Sequence, residues 1–335
     1  MSYDAIVLIS FGGPEKMDDV MPFLRNVLRG KNVPEERMHE VAHHYKSFGG
    51  KSPINDQNKA LIAAIEEELK ANGIDLPVYF GNRNWHPMLE DTMAQMRDDG
   101  VKKALGIVTS AFSCYSGCRQ YKEDIKRCSE MVENAPHIDK VRLFYNHPGF
   151  IKANVDHVKE ALASLPGESE TAIAFTAHSI PVTMAKTAQY ERQLMEVAEI
   201  IADKTGIKNW QLVFQSRSGP PHQPWLEPDI CDHIESLNEK GVKELIIAPI
   251  GFISDHMEVI YDLDDEAKET CSELGMHMAR AATAGTHPDF VKMFIDLIRE
   301  RTEDEAPKAE GPSPAWGNQC PEGCCAYTPG RPKRP

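Results

Sequence analysis

Apolar residues in this chain fall into short runs closed by small residues and followed by mixed, helix-like sequence. "DAIVLISFGGPEKM" (4–17) and "TAIAFTAHSIPVTM" (171–184) each read as an apolar strand, a small-residue turn and a helix start. They share Ala-Ile, Pro and Met at identical spacing. Three more pairs follow in the same order. "YFGNRNW" and "VFQSRSG" share Phe-x-x-Arg at Phe80/Arg83 and Phe214/Arg217, "GVKKALGIVTSAFS" matches "GVKELIIAPIGFIS" with one gap, and "HPGFIK" (147–152) matches "HPDFVK" (287–292). Four matched pieces in one order indicate a duplication. Each half alternates strand and helix, which predicts α/β architecture with a parallel sheet covered by helices on both faces. Open sheets of this kind bind ligands beyond the carboxyl ends of their strands, so the cleft between the halves is the expected site. The expected domains are 1–146 and 147–302, followed at 303–335 by a Cys-rich tail whose Pro, Gly and charge content reads as irregular.

Composition narrows the function. A chain of 335 residues can bury a substantial core, and its net charge of −14 disfavours nucleic acid as a general partner. The start "MSYDAIVLIS" lacks the basic and small-residue features of a signal peptide, and "LIIAPIGFI" is too short to span a bilayer. No transmembrane segment and a soluble, cytoplasmic protein are therefore expected. Eight cysteines in such a chain do not describe a disulfide scaffold.

Candidate chemistry stands at the strand ends. His178 follows the first strand of the second half directly, and the last repeated strand delivers His256 and Glu258 to the same cleft. Imidazole and carboxylate together can bind divalent iron. Asp255, Glu258, Asp262 and Glu266 in "SDHMEVIYDLDDE" are spaced to lie along one helical face, where like charges repel. A solvated face is the ordinary explanation for such a run, but this one begins at the cleft.

"FTAHSIP", "FQSRSGPPHQPWLEP", "PIGFISDHMEVIYDLDDE" and "FGGKSPIN" resemble the signature segments of the ferrochelatases, in order, from about residue 4 to residue 300. The resemblance implies a chelatase-like fold of two pseudo-duplicated Rossmann-like domains. It also implies insertion of Fe²⁺, as substrate, into a porphyrin without an organic cofactor. His178 matches the family's metal-site histidine and Glu258 its partner carboxylate. Metallation exchanges Fe²⁺ for two pyrrole protons, so Asp262 and Glu266 are expected to extend a path for metal inward or protons outward.

Further segments, "SFGGPE", "GNRNWHP" and "TSAFSCYSGCRQYKED", resemble the high-GC Gram-positive branch, for which the substrate implied is coproporphyrin III. Protoporphyrin IX is the alternative. The product would be coproheme, within haem biosynthesis, with an iron donor and a downstream pathway enzyme as conceivable partners. Candidate donors to the substrate's propionates are Arg25, Arg29, Ser52, Arg83, Arg119 and Tyr121, of which Ser52 and Tyr121 match family positions touching porphyrin. Phe11 departs from the pattern: low-GC Gram-positive enzymes carry there a tyrosine able to ligate metal.

Three cysteines, Cys320, Cys324 and Cys325, crowd the tail, and both a [2Fe–2S] cluster and zinc ordinarily need four ligands. The resemblance favours the cluster and suggests Cys118 as the fourth ligand, with Cys114 as rival. Animal relatives place their internal cysteine later, where this chain has Ala153. Rival functions are a non-catalytic porphyrin or metal carrier and a chelatase for another tetrapyrrole. A metallohydrolase is disfavoured because H-E-x-x-H is absent.

Overall fold

The computed structural model describes residues 2–30 and 33–328. Among the described residues, eight strands form two four-stranded sheets, every pairing parallel. The first holds β1 (Ala5–Ser10), β2 (Val78–Asn82), β3 (Lys103–Val108) and β4 (His137–Lys140) in the order β2-β1-β3-β4. The second holds β5 (Thr171–His178), β6 (Trp210–Gln215), β7 (Glu244–Ala248) and β8 (His277–Arg280) in the order β6-β5-β7-β8. The two orders are the same, and the repeated segments supply the equivalent strands. The α/β expectation and the internal repeat both hold.

Side-chain alternation explains why the central strands are apolar throughout. Ile6 and Leu8 of β1 join Ile173 and Phe175 of β5 in one core, whereas Ala5, Val7 and Ile9 face a second core on the outer side of the first sheet. Ala172 and Ala174 face a third core behind the second sheet. A strand buried on both faces has no polar side to alternate with. The shared core carries Phe112, Phe144, Phe150, Phe290 and Phe294 from both halves, with ring centroids 5.0 to 6.2 Å apart. The halves are thus packed through one continuous interior.

The repeated His-Pro segments open two long helices, Pro148–Ser164 and Pro288–Thr302. In each, the histidine side chain accepts the N–H two residues on (Gly149 N to His147 Nδ1, 3.1 Å; Asp289 N to His287 Nδ1, 3.2 Å), and proline occupies the first turn. The helices touch where Gly149 leaves no room: a β-carbon there would lie 2.4 Å from the Asp289 carbonyl. A buried pair, Arg142–Glu300 at 2.7 Å, ties the segment between the halves to the last helix.

The described tail has no regular element, as its composition implies, yet it is fastened. Arg142 donates to the Lys308 carbonyl (2.8 Å), Glu310 N to the Asn146 carbonyl (2.8 Å), and Cys325 N to the Thr187 carbonyl (3.2 Å). Among the described residues no helix is long and apolar enough to cross a membrane.

Candidate active site

His178 closes β5, at the carboxyl end of the second sheet. Gly251, just beyond β7, donates to the Thr176 carbonyl at 3.0 Å and folds the following loop onto the end of β5. A β-carbon on Gly251 would sit 2.6 Å from the Ala177 Cα, so only glycine permits this approach. The loop delivers Glu258 Oε2 to 3.4 Å from His178 Nε2 and 3.8 Å from His256 Nδ1. The pair expected from the strand ends is therefore assembled.

The two histidines are tuned in opposite directions. His178 Nδ1 donates to the Ser179 carbonyl at 2.5 Å, which leaves Nε2 as the atom facing Glu258. Burial alone would lower the His178 pKa, but the Glu258 carboxylate, the Ser179 carbonyl and Asp262 together outweigh it and raise the value. Burial dominates at His256 and lowers its pKa, with His178 adding to the fall against the opposing pull of Glu258. One ring is poised to hold a proton and the other to stay neutral.

Beyond Glu258 the helix starting at Met257 opens into a π-helical segment, Ile260–Glu266. In a regular α-helix each four-residue step drifts by about 40° around the axis. The wider i→i+5 turn takes up that drift, so Glu258, Asp262 and Glu266 form a row. Asp255 does not belong to it, contrary to the four-member face the spacing suggested. It lies before the helix and is paired with Arg280 at 3.1 Å. Asp262 accepts from the Ser216 hydroxyl and from Gln215 Nε2 (3.3 Å). Burial raises its carboxyl to about 7, with Ser216 pulling the other way and Glu258 and Glu266 adding to the rise. Burial likewise raises Glu266. Gln215 and Ser216 were missed from sequence, although Gln215 ends β6, Ser216 follows it directly, and the strand-end rule that found His178 applies to them equally. Ser216 holds φ = 62°, a left-handed conformation unusual outside glycine.

The N-terminal half contributes a cover. Helices Met17–Val27 and Glu35–Ser47 pack Phe23, Leu24 and Tyr45 against Met257, and His44 stacks on Tyr261 at 4.0 Å, the rings within 5° of parallel. Burial raises the Tyr45 pKa, and Glu258 adds to it. At the end of β1 the Phe11 ring stands 38% exposed, an apolar surface on the cleft side of the sheet.

The candidate porphyrin contacts divide. Ser52 and Tyr121 are buried. Arg83 lies over the Tyr121 ring (4.5 Å) and near Phe11 (5.9 Å), but its charge is taken by Asp124 at 2.6 Å. Arg25 pairs with Glu35 at 3.4 Å, and Arg29 donates to Asn26 at 2.8 Å. Arg119 is not brought to this group: it donates to Glu123 (2.9 Å) and to the Cys324 carbonyl (3.1 Å), at the tail.

A second feature gathers Cys118, Cys320, Cys324 and Cys325 around a pocket of about 360 Å³ lined also by Arg119, Lys122 and Lys126. The four thiols are mutually coupled, Cys320 interacting with Cys324 as well as with Cys118. Cys118 and Cys320 interact, which favours a thiolate on Cys320 with Lys122 and Lys140 nearby, while Cys324 and Cys325 stand 3.6 Å apart. Cys114 lies near Cys325, but its sulfur accepts the Gly117 N–H at 3.1 Å, and burial pushes its thiol up to about 11.

Comparisons with known proteins agree with this geometry. Residues 3–302 match the Ferrochelatase family model. A ferrochelatase of Rhodopirellula baltica is 56% identical over 98% of this chain and 95% of its own length. Coproporphyrin III ferrochelatases of Nocardia farcinica and Streptomyces coelicolor are 50% and 49% identical, over 97% and 99% of this chain and 97% and 95% of theirs. Among solved structures, SirB from Bacillus subtilis with Fe³⁺ superposes with a TM-score of 0.57 at 15% identity, covering 91% of this chain and 98% of that one, which bears on the fold alone. A match over nearly the whole length, with a His–Glu pair at the strand ends, shows that this chain belongs to the ferrochelatase family.

Proposed function

We propose that the protein inserts Fe²⁺ into coproporphyrin III, releasing two protons and forming coproheme. The observation that carries the chemistry is the His178–Glu258 pair at 3.4 Å, from which the row through Asp262 and Glu266 leads away. The choice of porphyrin is supported by the named activity of the relatives from Nocardia and Streptomyces.

His178 Nε2, with Nδ1 held by the Ser179 carbonyl, takes a pyrrole proton, and Glu258 stabilises the imidazolium that results. His256, kept neutral by burial, retains a lone pair for the incoming dication beside the same carboxylate. Asp262, with a pKa of about 7, accepts and passes on a proton at neutral pH without a large energy step. Phe11 offers an apolar face to the macrocycle, with Arg83 and the buried Tyr121 packed nearby, and Arg25 and Arg29 lie on the cover for the propionates; Ser52 is buried. A cytoplasmic setting fits these substrates and the lack of an apolar spanning helix among the described residues.

We further propose that Cys118, Cys320, Cys324 and Cys325 hold a [2Fe–2S] cluster. Four thiols around one pocket supply the four ligands that such a cluster takes. Tetrahedral zinc, with Zn–S near 2.3 Å, needs all four sulfurs about 3.8 Å apart. Among the described residues, the one group of three or more ligating side chains whose ligand atoms lie within 4.8 Å of one another is Asp156, His287 and Asp289, where Lys152 already pairs with Asp156. When bound, such a cluster would cross-link the tail to the segment carrying Cys118.

The test is anaerobic metallation by purified protein with Fe²⁺ and either porphyrin, beside His178→Ala and Glu258→Gln, after recording the visible spectrum as isolated. Turnover with a preference for coproporphyrin III, lost in both variants, is expected. Tight porphyrin binding without turnover in the wild type would leave a carrier instead, and preference for protoporphyrin IX would overturn the substrate.

A further inference from the structure

The acidic segment 255–266 contains more carboxylates than the row uses, and one cation sorts them. Arg280, the last residue of β8, grips Asp255 with a fork: Nη1 to Oδ1 and Nη2 to Oδ2, both at 3.1 Å. Its Nε donates to Asp264 Oδ1 at 2.5 Å. The Arg280 and Asp255 side chains are only 18% and 16% exposed, so their attraction is weakly screened. Asp255 is held from the other half as well. Its backbone N–H donates to Gln57 Oε1 at 2.7 Å, and Gln57 lies on helix Ile54–Ala71, which begins just after Ser52.

Each partner has a defined place. Asp255 stands on the turn that presents His256 and Glu258, and Asp264 lies inside the π-helical segment between Asp262 and Glu266. Pairing with Arg280 takes these two out of the set, so that Glu258, Asp262 and Glu266 make up the negative line beside His178, with Asp265 left as a neighbour of Glu266.

We propose that Arg280 is a positioning residue for metal insertion: it fixes the turn before Glu258 and the π-helical turn after it, and through Asp255 and Gln57 sets the row against the N-terminal half. The proposal rests on the assignment of Glu258, Asp262 and Glu266 as the metal and proton row. Arg280 itself touches neither metal nor porphyrin.

The test compares wild type, Arg280→Met, Arg280→Lys and Glu258→Gln in full-length protein. Fe²⁺ kinetics are measured at saturating porphyrin, porphyrin affinity by fluorescence quenching, and folding by urea midpoint. In Arg280→Met the kcat/KM for Fe²⁺ should fall by about 10- to 100-fold while the porphyrin Kd stays within about twofold. Arg280→Lys should recover part of the loss, because it restores charge but not the fork. Unchanged Fe²⁺ kinetics in Arg280→Met, with Glu258→Gln inactive, overturns the proposal and leaves the row standing. So does an equal fall in the Fe²⁺ and porphyrin parameters that lysine does not relieve, since that marks a purely structural residue. Full turnover by Glu258→Gln overturns the row and the proposal with it. Should Arg280→Met fail to fold, Asp264→Asn carries the same expectation in weaker form, and unaltered Fe²⁺ kinetics there would reject it.

Discussion

Replacing Asp262 by asparagine separates the energetic burden of the row from its chemistry. Asp262 sits at a carboxyl pKa of about 7 because burial disfavours its charge, against the Ser216 hydroxyl and with Glu258 and Glu266 adding repulsion. In the unfolded chain the same group titrates near 3.8. Between those values the folded protein holds a proton that the unfolded chain has released. The native state is therefore favoured at low pH by this group and loses that advantage as pH rises toward 7. A shift of about three units at 1.36 kcal/mol each is about 4 kcal/mol, and on the order of 2–4 kcal/mol after allowing for solvent at the rim of the site. Asparagine keeps the size and cannot ionise. Urea unfolding of both proteins at pH values from about 4.5 to 8 should show the variant gaining on the wild type by that amount as pH rises, most of it below pH 7.5. The pH dependence of kcat should at the same time lose its inflection near 7. Parallel stability curves, or a gap that grows the other way, would refute a buried, proton-holding Asp262.

Three further outcomes follow from the geometry. Gly251→Ala sets a methyl 2.6 Å from the Ala177 Cα and should push the end of β5 and His178 out of place, lowering kcat by about 10²-fold; near-normal turnover would show that the loop tolerates the shift. Cys325→Ser should abolish the visible absorption of the protein as isolated and expose the tail to protease, whereas Cys114→Ser should leave both unchanged; the opposite pattern would exchange the ligands. Arg142→Met strands Glu300 in the interior and should destabilise the fold by about 3–5 kcal/mol in urea, with much of the loss recovered in Arg142→Met/Glu300→Leu; a single-variant loss under about 1 kcal/mol would mean the pair is dispensable.

What the amino-acid sequence determined by itself was whatever is written locally or repeated. The apolar runs of β1, β3, β5 and β7 announce strands buried on both faces, and the four matched segments announce two sheets of the same order. The carboxyl end of a parallel strand is a position readable from the run itself, so His178 and Glu258 could be placed at the cleft without coordinates. Charge balance could not be read in that way. Asp255 and Glu258 look alike in sequence, yet Arg280, 25 residues from Asp255, neutralises one, while His178, 80 residues from Glu258, faces the other. The π-helical turn that aligns the row, the proton held by Asp262, and the turning of Arg119 to the tail and of Cys114 to the Gly117 N–H all depend on neighbours from other elements. Only the tertiary structure decided these, because ionisation and pairing are set by burial and by groups within a few ångströms, and distance along the chain carries no record of either.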